Sequence, residues 1–198
     1  MGEEKRIYII YSNTYFRVSK ILNFFLREEF THVSISLEQD ISKFYSFGRR
    51  NLYFPLIGGF VAESITEGIF SVFNETIIEV LEKEVSDKEY EFLSKELEKY
   101  KIFSRLYKYN FLGLPFIWFK VPYERERHFV CSQFVGYLLH KSGIHDFGKS
   151  WSLVLPNDIR EIKGLKSIYK GKMKEFKSNK ISNKGKKGWI NSVISYKD

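Results

Sequence analysis

Cysteine is almost absent from this chain of 198 residues, which contains a single one, Cys131. One cysteine excludes an internal disulfide framework and any zinc site built from several cysteines, and it is typical of proteins in a reducing cytosol. The thiol is therefore either a buried hydrophobic group or a site of chemistry.

Long hydrophobic runs are also absent. No run approaches the roughly 18 apolar residues that a membrane-spanning helix requires. The first apolar run, Ile7–Tyr11, has five residues, which is shorter than the roughly 7–15 residues of a signal-peptide core. From these two absences we expect a soluble protein of the cytoplasm.

Aromatic residues are plentiful, at 18% of the chain, and hydrophobic residues make up 43%. Such a composition is sufficient for a sizeable core, and the chain length favours one domain. Disorder of the whole chain is excluded, because disordered chains contain few aromatic and aliphatic residues.

The positive charge is confined to one part of the chain. Its net charge is +8, yet residues 163–187 hold ten lysines and one acid, whereas residues 1–162 hold 21 basic and 22 acidic side chains. We therefore expect a folded domain of residues 1–170 and a flexible Lys-rich tail of residues 171–198. Because the lysines alternate with Ser, Asn and Gly and not with stacking aromatics, the tail disfavours nucleic acid as a partner. Weak contact with anionic membranes is the alternative use of such a tail.

The periodicity of apolar residues predicts an α+β fold, with a small antiparallel sheet packed against helices. The predicted strands are Ile7–Tyr11, His32–Leu37, Lys43–Gly48, Phe60–Glu63, Ile69–Phe73, Thr76–Leu81 and Leu165–Tyr169. Helices are predicted to end at Arg27, to run from a Ser86 and Glu89 capping box to Tyr100, to span Cys131–Ser142, and to form one turn from Pro156. The aromatic segment Tyr107–Phe119 predicts an irregular, buried connection.

Cys131 is a candidate nucleophile because of its place at the start of a predicted helix. The unpaired N–H groups and the macrodipole at that end favour a thiolate, which is the reactive form. Free cysteine is also among the most frequently buried residue types, so a structural role is the alternative.

Among the four histidines, the best-placed partner for Cys131 is His32. It lies on a strand face that otherwise carries serines, whose small side chains leave space for a helix end or a substrate. His128, three residues before the cysteine, is the second choice. His140 is nine positions along the Cys131 helix and faces away from the thiol, and His145 lies in the loop beyond.

A Cys–His pair requires a third polar group that orients the imidazole. Glu63 is the first choice, because it ends a segment predicted to pair near the His32 hairpin. Ser46, on the returning strand, is the second. For substrate contacts the candidates are Tyr11, Ser34 and Ser46, and burial in the core is the alternative for Tyr11.

Taken in order, five segments resemble the circularly permuted NlpC-type papain-like proteins of the bacterial YiiX- and YycO-like branch. These segments are Thr31–Leu37, Tyr45–Arg49, Gly59–Glu63, Tyr109–Gly113 and Phe129–Val135. In that family the strand that carries the histidine precedes the helix that carries the cysteine, as His32 precedes Cys131 here. Leu155–Ile159 is similar to the Pro-Asp segment that follows the helix, and the resemblance covers residues 7–162.

The resemblance implies a permuted papain-like fold and a cysteine peptidase or amidase that needs no cofactor. It implies Cys131 as nucleophile, His32 as base and Glu63 as orienting residue, acting on amide or ester bonds of a small peptide, amino-acid or acyl substrate. Members of the family usually carry an acid after the Cys-Ser pair, where this chain has Gln133. We expect that difference to change local hydrogen bonding and not the nucleophile.

Two alternatives stay open at this point. One is a lipid acyltransferase or thioesterase of the lecithin retinol acyltransferase-like type, which shares the architecture and would dock on membranes through the basic tail. The other is a non-catalytic binding module in which the thiol is structural. Likeness of fold does not choose among these substrates.

Overall fold

The computed structural model describes residues 4–13, 30, 32–51, 57–65 and 75–176. In these ranges the chain forms an α+β structure with an eight-stranded sheet and four α-helices. The predicted helix ending at Arg27, the predicted strand Ile69–Phe73 and residues 177–198 of the predicted tail lie outside the described residues.

The sheet is antiparallel except at one edge. Its strands are β1 (Lys5–Asn13), β2 (His32–Ser36), β3 (Phe44–Arg49), β4 (Gly58–Glu63), β5 (Ile77–Val85), β6 (Lys108–Tyr109), β7 (His128–Phe129) and β8 (Lys166–Lys172). They follow one another in the order β7-β6-β4-β3-β2-β1-β5-β8, and the β6–β7 pair is parallel. The antiparallel sheet is confirmed, although it is larger than expected because β6 and β7, of two residues each, are too short to show a period.

Four helices accompany the sheet: α1 (Asp87–Ile102), α2 (Gly113–Trp118), α3 (Cys131–Lys141) and α4 (Pro156–Arg160). The predicted capping box opens α1, since Ser86 Oγ accepts a hydrogen bond from the Glu89 N–H and the Glu89 carboxylate accepts one from the Ser86 N–H. Beyond α3, Gly143 has a φ of 80°, a left-handed conformation that glycine adopts without steric cost.

Strand β1 is buried on both faces and separates two parts of the core. Ile9 and Tyr11 belong to the larger cluster, which includes residues of α1 and α3. Ile10 belongs to the smaller cluster on the other side. Alternate residues of a strand point to opposite faces, so the continuous apolar run Ile7–Tyr11 reflects burial on both sides of the sheet.

The segment Tyr107–Phe119 differs from the prediction of an irregular, buried connection. It contains β6 and α2, and it exposes Leu112, Trp118 and Phe119, which are 61%, 57% and 72% accessible. Pro115 is compatible with α2 because it lies in the first turn, where backbone N–H groups have no partner within the helix.

The end of the domain lies beyond the predicted boundary at residue 170. Strand β8 pairs with β5 up to Lys172, and a helical turn follows at residues 173–176. Met173 and Phe176 are buried in the smaller core cluster. The fold therefore continues to Phe176, because these two apolar residues among lysines fill a core and do not belong to a solvated tail.

Candidate active site

Three strands and one helix bring the candidate residues together. His32 begins β2, Glu63 ends β4, and β3 lies between these strands in the sheet. A Cβ added at Gly48 of β3 would lie 3.5 Å from His32 Cε1 and 3.9 Å from Glu63 Oε1. These are ordinary van der Waals distances, so Gly48 of β3 lies directly beside the place where His32 and Glu63 meet.

His32 and Glu63 form a close ionic contact. His32 Nε2 lies 3.0 Å from Glu63 Oε1 and 3.1 Å from Oε2. Both side chains are largely buried, with 19% and 13% of their surfaces exposed. The predicted orienting residue therefore lies in contact with the predicted base.

Ser34 supports the carboxylate. Its Oγ donates a hydrogen bond of 2.7 Å to Glu63 Oε2 and lies 3.3 Å from His32 Nε2. Ser34 is 1% exposed. We predicted it as a substrate contact, but the structure gives it another role, which is to fix the carboxylate that binds the imidazole.

The surroundings of His32 favour its protonated form. Burial lowers its pKa, but the charge of Glu63, a hydrogen bond with the Cys131 side chain, a hydrogen bond with Glu63 and the charge of Cys131 together outweigh burial. The net effect of these groups raises the pKa of His32 from 6.5 to about 10. An imidazolium at neutral pH is thus the expected state, because neighbouring negative charge stabilises the cation.

Cys131 is the first residue of α3, forms no disulfide, and is 7% exposed as a residue. Its side chain hydrogen-bonds with His32. Burial first, and then the charge of Cys131, raise the pKa of Tyr109. The structure therefore brings Cys131, His32 and Glu63 into one cluster.

The other predicted substrate contacts are corrected by the structure. Tyr11 is fully buried, and its hydroxyl donates a hydrogen bond of 2.8 Å to the Pro156 carbonyl. Ser46 is also fully buried, and its Oγ donates a hydrogen bond of 2.7 Å to the Val33 carbonyl. Both side chains are thus buried in the core, and Ser46 binds the Val33 carbonyl, whereas Glu63 binds His32.

Gln133 fixes the beginning of α3, a role that we did not predict. Its Oε1 accepts hydrogen bonds from the Val130 N–H at 3.0 Å and from Asn110 Nδ2 at 3.4 Å. Its Nε2 donates one of 2.7 Å to the Ser152 carbonyl. A carboxylate has no N–H to donate to that carbonyl. Glutamine therefore suits these surroundings, whereas members of the family that the chain resembles usually have an acid here.

The remaining histidines have other neighbours. His128 Nδ1 donates a hydrogen bond of 2.7 Å to the Glu126 carbonyl, and His140 lies 3.8 Å from Asp146. His145 packs its ring edge against Phe147. The preference for His32 over these three residues thus agrees with the geometry.

Comparisons of the chain with protein-family models, curated proteins and solved structures find no match. Within the described residues, no group of three or more His, Cys, Asp and Glu side chains is arranged to hold a metal ion. No helix in this part of the chain has both the length and the apolar character needed to cross a membrane. A functional assignment therefore depends on the chemistry of the site itself.

Proposed function

We propose that the protein is a cysteine hydrolase of the permuted papain-like type. It would cleave amide or ester bonds of small peptide, amino-acid or acyl substrates through a thioester at Cys131. The observation that carries this proposal is the hydrogen bond between Cys131 and His32, whose Nε2 is bound to the Glu63 carboxylate. We expect the enzyme to act in the cytoplasm, where a reactive thiol stays reduced.

In the resting enzyme, the Glu63 carboxylate holds a proton on Nε2 of His32. Because Nε2 points at the carboxylate, Nδ1 is the nitrogen that exchanges a proton with the Cys131 sulfur. Transfer of the thiol proton to Nδ1 gives a thiolate and an imidazolium, and the carboxylate stabilises that imidazolium.

In acylation the thiolate attacks the substrate carbonyl carbon and forms a C–S bond. The carbonyl oxygen becomes an oxyanion, which the first backbone N–H groups of α3 stabilise together with the dipole of this 11-residue helix. The C–N or C–O bond then breaks, and His32 gives its Nδ1 proton to the leaving amine or alcohol.

In deacylation the same histidine becomes the base. A thioester has neither the negative charge nor the hydrogen bond by which Cys131 raises the pKa of His32. The neutral imidazole takes a proton from water, the hydroxide attacks the thioester carbonyl, and the C–S bond breaks. The products are a carboxylic acid and the Cys131 thiolate, which is paired again with protonated His32.

The test is hydrolysis of a panel of p-nitrophenyl esters and p-nitroanilides by the full chain, together with intact-mass measurement of the acyl adduct. We expect Cys131→Ala and His32→Ala to reduce kcat/KM by about 100-fold or more, and the adduct to disappear in Cys131→Ala. The control is His140→Ala, which changes an exposed histidine and should keep the parent activity. Unchanged hydrolysis in Cys131→Ala would overturn the proposal and leave a non-catalytic thiol.

Acyl lipids are the second candidate substrate class, because an apolar surface follows Tyr109 along the chain. Six large side chains in this surface are 37–72% exposed: Phe111, Leu112, Phe116, Trp118, Phe119 and Val121. Lys120 and Arg125 lie in the same stretch of sequence. Aromatic residues with neighbouring cations are typical of segments that bind the interface of an anionic membrane.

Vesicle co-sedimentation tests this second candidate. The full chain should bind phosphatidylglycerol vesicles more tightly than phosphatidylcholine vesicles, and Trp118→Ser with Phe119→Ser should weaken that binding at least tenfold. Ile102→Ser is the matched control, since Ile102 is as exposed as Phe119, at 72%, but lies outside the apolar surface. Equal binding by the control and the double variant would reject the lipid candidate.

A further inference from the structure

A groove of about 370 Å³ opens at the β6–β7 edge of the sheet. Its walls come from three separate parts of the sequence: residues near β3 and β4, residues in and after β6, and residues just before and in β7. They include Arg50 and Gly58 from the first part, Lys108, Tyr109, Phe111 and Leu112 from the second, and Arg125 and His128 from the third. The groove is thus formed by the fold and not by one continuous segment.

The lining of the groove is basic. Arg50, Lys108 and Arg125 carry positive charge, and no acid is among the described residues that line the groove. The described residues also include no ion pair of Lys108 or Arg125 with an acidic side chain. Such a lining favours an anion, because cations in a concave site concentrate positive potential.

Arg50 is held in a fixed position. Its Nη2 donates hydrogen bonds to the Ser104 carbonyl and, at 2.9 Å, to the Tyr107 carbonyl. The carbonyl groups are neutral, so the guanidinium keeps its net charge. Arg50 therefore contributes a preorganised positive charge, whereas Lys108 on the exposed end of β6 can adapt to a ligand.

Tyr109 connects the groove with Cys131. Tyr109 lines the groove with Phe111, whose ring centroid lies 4.7 Å from its own, and it pairs with Phe129 of β7, two residues before Cys131. Gly58 permits this position, because a Cβ there would come within 2.8 Å of Tyr109 Cβ. In addition, His128 in the lining precedes Cys131 by three residues.

We propose that this groove is the subsite for an anionic group, a carboxylate or a phosphate, on the acyl substrate that Cys131 attacks. The inference rests on the proposed function, since it assigns a substrate class to the same site. Lys108 and Arg125 would bind the anion, Arg50 would add its charge, and the rings of Tyr109 and Phe111 would cover the apolar part of the substrate next to it.

Alkylation of the thiol tests the subsite without a known substrate. Because Cys131 is the single cysteine of the chain, iodoacetate and iodoacetamide both report on it alone. The rate with iodoacetate divided by the rate with iodoacetamide isolates the effect of the negative charge of the reagent, since the same thiolate attacks both reagents. We expect a ratio several times that of free cysteine, and Lys108→Glu with Arg125→Glu should lower it by about threefold to tenfold.

The matched control is Lys95→Glu, which reverses an exposed charge on α1 outside the groove and should leave the ratio unchanged. A ratio equal to that of free cysteine overturns the proposal, and so does a native Cys131 that neither reagent alkylates. A high ratio that the double variant lowers supports the anion site even if the protein shows no hydrolase activity, whereas a high ratio that the double variant leaves unchanged assigns the effect to protonated His32 and overturns the proposal. Protection of Cys131 from iodoacetamide by succinate or by inorganic phosphate then identifies which anion the groove prefers.

Discussion

His32 carries the central chemical argument at the scale of single residues. The charge of Glu63 is the largest cause that raises its pKa to about 10, and the hydrogen bond and charge of Cys131, which the proposed reaction alters, contribute as well. The contact with Glu63 does not change during catalysis. The histidine is therefore expected to be protonated, and able to act as an acid, before acylation; after acylation its lower pKa leaves more of it neutral and able to accept a proton from water.

We expect His32 to titrate near pH 10 in the parent protein and at lower pH after carbamidomethylation of Cys131. NMR titration of the imidazole signals measures both values. Because the folded-state pKa is above the ordinary 6.5, this group adds stability that is fully present below about pH 6.5 and is lost as pH rises toward 10. An unchanged titration after alkylation would contradict the contact with Cys131.

A pair of substitutions distinguishes Glu63 from Ser46 as the orienting residue. Glu63→Gln removes the charge that supports His32, and it should reduce kcat about 10- to 100-fold and lower the pKa of His32. Ser46→Ala removes the hydrogen bond to the Val33 carbonyl; it should lower the free energy of unfolding by about 1 kcal/mol and leave the pH profile in place. If Ser46→Ala shifted the pH profile and Glu63→Gln left it in place, the orienting role would belong to Ser46.

The three residues of the proposed site were accessible from the sequence for different reasons. His32 was identified by strand alternation, Cys131 by its place at a helix start, and Glu63 by the expected pairing of its strand. The role of Ser34 was not accessible, because it depends on how far the Glu63 side chain reaches across β3. The groove was also missed, since Arg50, Lys108 and Arg125 are distant in sequence and the strands that join them have two residues each.

At the scale of secondary-structure elements, the approach of α3 to its neighbours determines where Cys131 lies. Gly136 lies in the buried part of this helix. A Cβ at this position would lie 2.8 Å from Val154 Cγ1 and 2.9 Å from Val154 Cβ. The glycine therefore allows a closer contact than any other residue would permit.

We expect Gly136→Ala to lower the free energy of unfolding by about 1–3 kcal/mol, because overpacking outweighs the gain in helix propensity of roughly 1 kcal/mol. Urea denaturation of the single variants and of Gly136→Ala with Val154→Ala measures the coupling. The double variant should be more stable than the sum of the two single changes predicts. If the free-energy changes of the two single variants simply added up in the double variant, α3 would be moving away from Val154 without loss of stability.

Whole-molecule organisation differs from the sequence-based division at the C-terminal boundary. Of the ten lysines in residues 163–187, five lie within the described structure, at positions 163, 166, 170, 172 and 174. Lys172 pairs with Glu75 at 2.7 Å. The count of charges located the basic part of the sequence, but it could not show which of its lysines lie on strand β8.

Phe176→Ala tests whether the fold extends to this residue. Phe176 is 3% exposed in the smaller core cluster, so its truncation should lower the free energy of unfolding by about 3–5 kcal/mol. Lys174→Ala is the control on the same turn: it removes an ion pair with Glu75 that is expected to contribute less than about 1 kcal/mol, since both side chains are largely exposed. Equal urea midpoints for the two variants would show that residues 173–176 do not contribute to the folded core.

The placement of lysines on β8 has a further consequence, which concerns the pairing of sheet edges between molecules. Strand β8 is the outermost strand at one end of the described sheet, and Lys166, Lys170 and Lys172 lie along it. An edge strand offers unpaired backbone groups to any other strand, and lysines on such an edge oppose the approach of a second copy by charge repulsion. At the other end, β7 has only two residues, too few to template a long ladder. The basic strand is thus suited to keeping the sheet from growing between molecules at high concentration, whatever substrate the cysteine takes.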